Sequence, residues 1–393
     1  MKKLWSLFLI LCLLSCTAQS SPEEKTIYQS PDFTAAVISD LHYTSSPSAF
    51  NSVVPLEPVV PEVTDALIEQ VIAAKPDAFI MTGDNTGNGE EKDVEELSQK
   101  LQRLRKAGIE VIMTTGNHDY GEGDISKKAW EQYILPLLDI KEKDPGSYSY
   151  MTENNGVMIL AMDDSHHGES TGHFSDVTMQ WLREQLETAK SNGLRVLFLS
   201  HHNILSGKIS SMYSSYLIRN EDLLKVLETY NVQLCMTGHQ HNQAVWQKDN
   251  MYEILNGMPV QAAHTFGWVT MDEKGVSYHT EEIDLKTYGT PGLYEKAMNL
   301  IERQLSYFFS SFEDLCKKKN LSAEETDKVL SLMSQFFAAS GQGRLAEDAE
   351  AIMQHPDYKL MMSVLRDTNY GPWIEELLKN PPADASELSF EWE

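Results

Sequence analysis

Five short apolar runs, each leading into Asp, His or Asn, constrain this chain more than any other feature. The runs are Ala35 to Ser39, Ala78 to Thr82, Glu110 to Thr115, Arg195 to Ser200 and Gln233 to Thr237. They lead into Asp40-Leu41-His42, Gly83-Asp84, Gly116-Asn117-His118-Asp119, His201-His202 and Gly238-His239-Gln240-His241. Runs of this length, rich in Val, Ile, Leu and Met, suit buried strands. The gaps carry helical spacing, as in Val63, Leu67, Ile68, Val71 and Ile72, then Leu97, Leu101 and Leu104, then Leu223, Leu224 and Leu227. Strand alternating with helix predicts an α/β domain. Tyr148 to Thr152 and Val157 to Asp163 flank Asn154-Asn155-Gly156, a hairpin signal. In open α/β sheets the ligand crevice lies beyond the carboxyl ends of the strands. Five polar motifs far apart in sequence can therefore converge on one pocket.

Residue type decides what that pocket can hold. Imidazoles, carboxylates and one amide suit Zn, Mn, Fe or Ni, and no soft thiolate site accompanies them. Seven candidate ligands, Asp40, His42, Asp84, Asn117, His201, His239 and His241, exceed the needs of one ion and suffice for two divalent ions sharing a carboxylate. A lone His or Asp at a strand end is more often a cap or turn residue, but seven together outweigh that reading. His202 is the exception, open as a supporting partner of His201 or as an alternative ligand. His166, His167 and His173 form another histidine-rich stretch, read as a surface loop.

The order DxH, GD, GNHD, H, GHxH resembles the calcineurin-like metallophosphoesterase superfamily over residues 34 to about 285. The resemblance implies a β-sandwich flanked by helices, carrying a dinuclear metal centre that hydrolyses phosphate esters. It implies that Asp40, His42, Asp84 and His241 hold one ion, that Asp84, Asn117, His201 and His239 hold the other, and that Asp84 bridges them. The ions would make a hydroxide available for in-line attack on phosphorus, and His118 would protonate the leaving oxygen. In many relatives an Asp or Asn three residues after the bridging aspartate orients this histidine. Gly87 stands there in this chain, beside Asn88, which leaves Asp119 as the nearest candidate in sequence to assist His118. Gly87 also argues against the iron-tyrosinate branch, which places a tyrosine ligand at that position. Asn203 replaces the proline common after the paired histidines, a change read as of no clear consequence.

The chain has 32 Lys and Arg against 58 Asp and Glu, a net charge of −26, which argues against a duplex nucleic-acid partner. Two divalent ions set against two ligand carboxylates would still leave the pocket locally positive, since distant charges are screened over ~8 Å. Lys2 and Lys3 precede an apolar run from Leu4 to Leu14, too short to span a ~30 Å hydrocarbon core. Leu13-Leu14-Ser15-Cys16 resembles a bacterial lipobox, with an ordinary secretory signal as the alternative. Residues 1–15 are thus expected to be a signal peptide and 16–32 a tether. The protein is expected to be exported and membrane-anchored through a lipid on Cys16. Cys235 and Cys316 read as buried single thiols.

Residues 33–285 form the expected catalytic domain. Beyond it Leu293, Ala297, Leu300, Ile301, Phe308, Phe312 and Leu315 recur at helical spacing, and Ser322 with Glu325 matches a capping box, so 286–393 read as an all-α C-terminal domain. This layout, with the GDNTGNGE and HHN segments, resembles Gram-positive surface members of the class III cyclic-nucleotide phosphodiesterases. It implies phosphodiester substrates, cyclic nucleotides or related nucleotides. A phosphomonoesterase or nucleotidase on the same site, and a surface binding protein with a vestigial metal site, are the alternatives.

Overall fold

Each expected apolar run becomes a strand, and the strands sort into two sheets. The computed structural model describes residues 26–48, 54–205, 217–261, 264–383 and 385–393. In chain order its elements are β1 (Phe33–Ile38), α1 (Val60–Ala74), β2 (Ala78–Thr82), α2 (Glu91–Lys106), β3 (Glu110–Thr114), α3 (Asp124–Ala129), β4 (Glu142–Lys143), β5 (Tyr150–Asn154), β6 (Val157–Ala161), α4 (Asp176–Asn192), β7 (Arg195–Leu199), α5 (Leu223–Thr229), β8 (Leu234–Thr237), β9 (Ala244–Lys248), β10 (Met251–Leu255), β11 (Thr265–Met271), β12 (Gly275–Glu282), α6 (Leu293–Lys318), α7 (Ala323–Gly341), α8 (Leu345–Gln354), α9 (Tyr358–Leu365), α10 (Tyr370–Lys379) and β13 (Glu387–Glu391). One sheet has the order β13-β12-β11-β1-β2-β3 and the other β4-β5-β6-β7-β8-β10-β9.

Parallel pairing runs through β1-β2-β3 and through β6-β7-β8, with helices as the crossovers. Strands buried on both faces are apolar along most of their length, and these are, with Thr34, Glu110 and Arg195 confined to their starts. In the second sheet Ile159, Leu197, Leu199 and Met236 pack into the core shared with the first sheet, while the alternating Met158, Leu160, Phe198 and Cys235 pack under α4 and α5. Residues of α1 and α2, such as Leu67, Val71, Leu97 and Leu101, join the shared core from the other side. The hairpin forms as expected, with Asn155 (φ 47°) and Gly156 (φ 82°) in the left-handed region between β5 and β6. Cys235 and Cys316 are free and buried.

The α6–α10 unit has its own core, in which Phe312, Met333, Phe336, Leu365 and Ile374 are buried. Its α7 starts with the expected capping box, Ser322 and Glu325 each accepting from the other's backbone N–H. The expectation of helix to residue 393 needs correction. The chain leaves α10 and returns to the sandwich, where β13 pairs antiparallel with β12. Glu387-Leu388-Ser389-Phe390-Glu391-Trp392 alternates polar with apolar, which is the strand period. The 16–32 tether also differs where it is described: Gln29 N donates to Gly193 O at 2.6 Å, and the Tyr28 ring lies 3.7 Å from the Arg195 guanidinium, which Trp392 approaches from 4.5 Å. The signal peptide and Cys16 lie outside the described residues. No helix among the described residues is long and apolar enough to cross a membrane.

The last strand is held by side chains as well as by its ladder, since the Phe390 ring stacks on Tyr252 at 4.2 Å. Phe390→Ala is expected to destabilise the fold by about 1–2 kcal/mol. Thermal unfolding checks this, and an unchanged midpoint would mean that β13 is not held by that ring.

Candidate metal centre

The strand order brings all five motifs to one edge. Asp40 and His42 follow β1, Asp84 follows β2 and Asn117 follows β3, while His201 follows β7 and His239 and His241 follow β8. Each strand ends before its ligand-type residue, and the chain turns sharply there. Asp40 (φ 54°), His42 (46°), Asp84 (47°), His239 (68°) and His241 (55°) all sit in the left-handed region, which non-glycine residues avoid. Five strained residues on one edge mark a functional site more strongly than any single one. Two glycines make the crowding possible. A Cβ on Gly116 would lie 2.2 Å from Asp84 N, and one on Gly238 would lie 1.8 Å from Ser39 Oγ and 2.6 Å from Asp40 Oδ2.

Two groups of ligand atoms result, Asp40, His42, Asp84 and His241 in one and Asp84, His201 and His239 in the other, each with its atoms within 4.8 Å of one another. Asp84 belongs to both. His42 Nε2 faces His241 Nε2 at 3.2 Å, and His201 Nε2 faces His239 Nδ1 at 3.1 Å. Such spacings fall between the ~2.9 Å and ~3.4 Å edges that two ligands ~2.1 Å from a shared ion make in octahedral and tetrahedral arrangements. The His201 Nδ1–H donates to Thr82 O at 3.0 Å, which turns its Nε2 toward Asp84 Oδ2, 3.3 Å away. Asn117 Oδ1 is buried without a hydrogen-bond donor, and Asp40 Oδ1, also buried, has only a poorly aligned His241 Nε2 beside it at 3.3 Å. Orphaned buried acceptors are expensive unless something else satisfies them, and a cation fits both.

The remaining sequence candidates separate. His118 is at the site: its backbone N–H donates to Asp84 Oδ1 at 2.8 Å, its Nε2 lies 4.0 Å from Asp84 Oδ2, and its ring is half exposed. Asp119 does not assist it. Its carboxylate accepts from Asn85 N and Nδ2, Thr86 N and Oγ1, and Gly116 N, all between 2.8 and 3.1 Å. Asp119 therefore clamps the Asp84 loop to the Asn117 loop and is corrected from a catalytic to a structural role. The partner of His118 is a backbone group, Gly87 O, which accepts from Nδ1 at 3.0 Å. His202 turns away to Asp164, whose two oxygens accept from its N and Nδ1 at 2.9 and 3.0 Å, so it is not among the grouped ligand atoms. Asn203 has a consequence after all: buried, it donates to Thr237 Oγ1 and Gly238 O and accepts from Gln240 Nε2, joining the two histidine loops. His167 donates to Tyr120 O, and His166 stacks on His173 at 3.9 Å, outside the grouped ligand atoms.

Above the ligands lies a cleft of about 390 Å³, with His42, His118 and His241 at its base and Glu57, Glu90 and Asp93 on its walls. Its described lining contains no Lys or Arg.

The calcineurin-like phosphoesterase model matches residues 33–243. The chain is 30% identical over 178 residues to the "Probable glycerophosphodiester phosphodiesterase GpdQ" of Arcobacter nitrofigilis, covering 44% of this chain and 60% of that protein. It is 25% identical over 214 residues to the "Probable cyclic nucleotide phosphodiesterase" of Psychrobacter arcticus, covering 52% and 72% of the two chains. Among solved structures, a dimetal phosphatase from Danio rerio aligns with a TM-score of 0.49 at 16% identity, covering 64% of this chain and 97% of that one.

Charge is concentrated in the ligand groups. Burial opposes a charge on His201, yet Asp84 and Asp40 outweigh it and hold the imidazole up at about 10. Burial pushes His42 down to about 4, and burial together with His201 pushes His239 down to about 3. Burial also opposes the Asp40 carboxylate, but His241 and His201 prevail and bring it down to about 2. The signs differ. A raised His201 stabilises the metal-free fold below its ordinary value of 6.5, a contribution lost as pH rises toward 10. Depressed His42 and His239 resist protonation, so stability falls as pH drops from 6.5 toward 4. In chelator-treated protein, His201→Gln is expected to reduce the alkaline decline, leaving the part due to the raised His241, and to retain the acid decline due to His42. Melting temperatures across this range decide it, and an alkaline slope unchanged from wild type contradicts the assignment.

Proposed function

The chain belongs to the calcineurin-like phosphoesterase family, and on that premise we propose that it hydrolyses monoanionic phosphodiesters, cyclic nucleotides or related nucleotide diesters. Asp40, His42, Asp84 and His241 would hold one divalent cation, and Asp84, Asn117, His201 and His239 the second. When bound, two such cations supply Lewis acidity toward a phosphoryl oxygen and lower the pKa of a water. His118 presents Nε2 to the same space while Nδ1–H is held by Gly87 O at 3.0 Å. Its imidazolium form can pass the Nε2 proton to the departing oxygen. A backbone carbonyl cannot swing away as a side chain can, so ring orientation is fixed by the fold of the loop itself.

The cleft walls carry the preference for diesters. A monoester brings up to two negative charges and, beyond the cations, needs positive protein groups to meet the second. The described lining offers Glu57, Glu90 and Asp93 and no Lys or Arg. A diester brings one charge, which the cations can meet alone. Both curated relatives described above carry phosphodiesterase names, one for glycerophosphodiesters and one for cyclic nucleotides, in keeping with this reading. The chain spans 60% of the first relative's length, and that protein's substrate is not carried over whole. We further propose export and anchoring through a lipid on Cys16, supported by the Leu13-Leu14-Ser15-Cys16 sequence.

Residues 21–393 loaded with Mn2+ are expected to cleave bis(p-nitrophenyl) phosphate with kcat/KM at least about tenfold above p-nitrophenyl phosphate, ~1.4 kcal/mol of discrimination. Chelation should abolish both activities. A monoester preference would replace the diester reading with a phosphatase one. His118→Ala should lower kcat on a 2',3'-cyclic nucleotide by ~10²–10⁴ but cost far less with p-nitrophenolate, which leaves without a proton. Equal losses on the two substrates would remove His118 from the acid role.

A further inference from the structure

We infer that Gln243 is a positioning residue for His239 and His241, and that the helical unit acts on the site through it by holding the histidine loop from behind. The inference rests on the ligand roles proposed above for these two histidines. Both are in the left-handed region, at φ 68° and 55°. Each such conformation costs ~1 kcal/mol or more and persists only where the surroundings enforce it. On the cleft side the loop is held by His239 N, which donates to Asp40 Oδ2 at 3.0 Å. Two residues past His241, the Gln243 side chain is 5% exposed and held on three sides. Its Oε1 accepts from Gly257 N at 2.9 Å, and its Nε2 donates to Tyr278 Oη at 2.7 Å and to Ala385 O at 3.3 Å. Gly257 N–H can only donate and Ala385 O can only accept, so the amide has one orientation.

Those three partners come from three parts of the fold. Gly257 follows β10, Tyr278 lies on β12 in the opposite sheet, and Ala385 lies on the segment that leaves the helical unit. That segment is docked independently: Ala383 N donates to Val245 O at 3.2 Å and Ala385 N to Gly343 O at 2.8 Å. Gly343, between α7 and α8, is packed so closely that a Cβ would lie 2.8 Å from Ala385 Cβ and 3.2 Å from Gln243 Cγ. The network also reaches the start of the loop. Tyr278 Oη donates to Asn256 Oδ1 at 3.2 Å, and Asn256 N donates to Thr237 O at 2.9 Å, immediately before Gly238. Both ends of 238–243 are thus tied to one set of buried hydrogen bonds. No described residue of α6–α10 lines the cleft above the ligands. The helical unit therefore has a physical route to the histidines through Gln243.

Mn2+ binding to the full chain, followed by the loss of the free ion's EPR signal, tests this beside activity on bis(p-nitrophenyl) phosphate. Gln243→Ala is expected to weaken binding at the site by about tenfold. It should raise the Mn2+ concentration for half-maximal activity to match, while kcat at saturating Mn2+ stays within about threefold of wild type. Tyr278→Phe, which keeps the ring and removes one hydroxyl, is expected to shift both in the same direction by less, and it carries the test if Gln243→Ala does not fold. Phe390→Ala controls for destabilisation alone and should leave Mn2+ affinity unchanged. Wild-type affinity in Gln243→Ala or, failing that variant, in Tyr278→Phe would overturn the positioning role, as would an equal loss in Phe390→Ala. A wild-type chain that binds no Mn2+ would instead overturn the metal-site reading on which the inference rests.

Discussion

The site depends on one buried carboxylate placed where two sheets meet. Asp84 is 1% exposed, and Oδ1 accepts from His118 N while Oδ2 lies 3.3 Å from His201 Nε2 and 3.8 Å from His42 Nε2. A charge this deep is tolerable only with partners around it, and those partners come from both sheets. β2 carries Asp84 itself, β1 carries His42, β3 leads to His118, and β7 across the sandwich carries His201. Packing the sheets face to face is thus a requirement of the electrostatics as well as of the apolar core. Neither sheet alone could surround the carboxylate.

Holding five residues of one edge in the left-handed region requires the loops beneath them to be rigid. Buried carboxylates serve this end at two places without facing the cleft. Asp119 gathers five donors from the loops that carry Asp84 and Asn117. Glu253 on β10 accepts from Ile204 N, Leu205 N and Thr237 Oγ1, which fixes the chain just beyond His201 to the strand before His239. Charge-assisted bonds to backbone N–H groups are stronger than neutral ones, and each of these acids ties together chain segments that supply different candidate ligands. Asp40 and Asp84 in the site face imidazoles as well as backbone N–H groups, whereas Asp119 and Glu253 under it accept from N–H and O–H groups. One residue type fills two roles, separated by what surrounds it.

The strands, the crossover helices and the six grouped positions were legible in the sequence because each leaves a local trace: an apolar run, a 3.6-residue spacing, or a ligand type just past a strand end. Other features had no such trace. Gly87 supports His118 through a carbonyl, which every residue possesses, and sequence cannot say which carbonyl faces a ring. Asp119 is adjacent to His118, yet neighbours on a tight turn point in different directions, so proximity in sequence misled. Asp164, Glu253 and Gln243 look like ordinary polar residues until tertiary partners over 14 to 142 positions away are in place. The β13 strand is a different case, since its alternation was present and was outweighed by the helical pattern ahead of it.

The electrostatics of the ligand groups also bear on how a strongly acidic chain would take up cations. Asp40 and Asp84 are both buried, and in the described structure the positive partners within reach are imidazoles. Raised proton affinity at His201, and in the same direction at His241, means that protons can stand where cations would. Those protons cannot fill the site, however. His42 and His239 are driven the other way, their lone pairs kept free by burial and by their charged neighbours. Each ligand group therefore combines one histidine ready to be charged with one held neutral, facing each other at 3.1 and 3.2 Å. A divalent ion bound at such a pair would meet one lone pair already available and one imidazole whose proton it must displace.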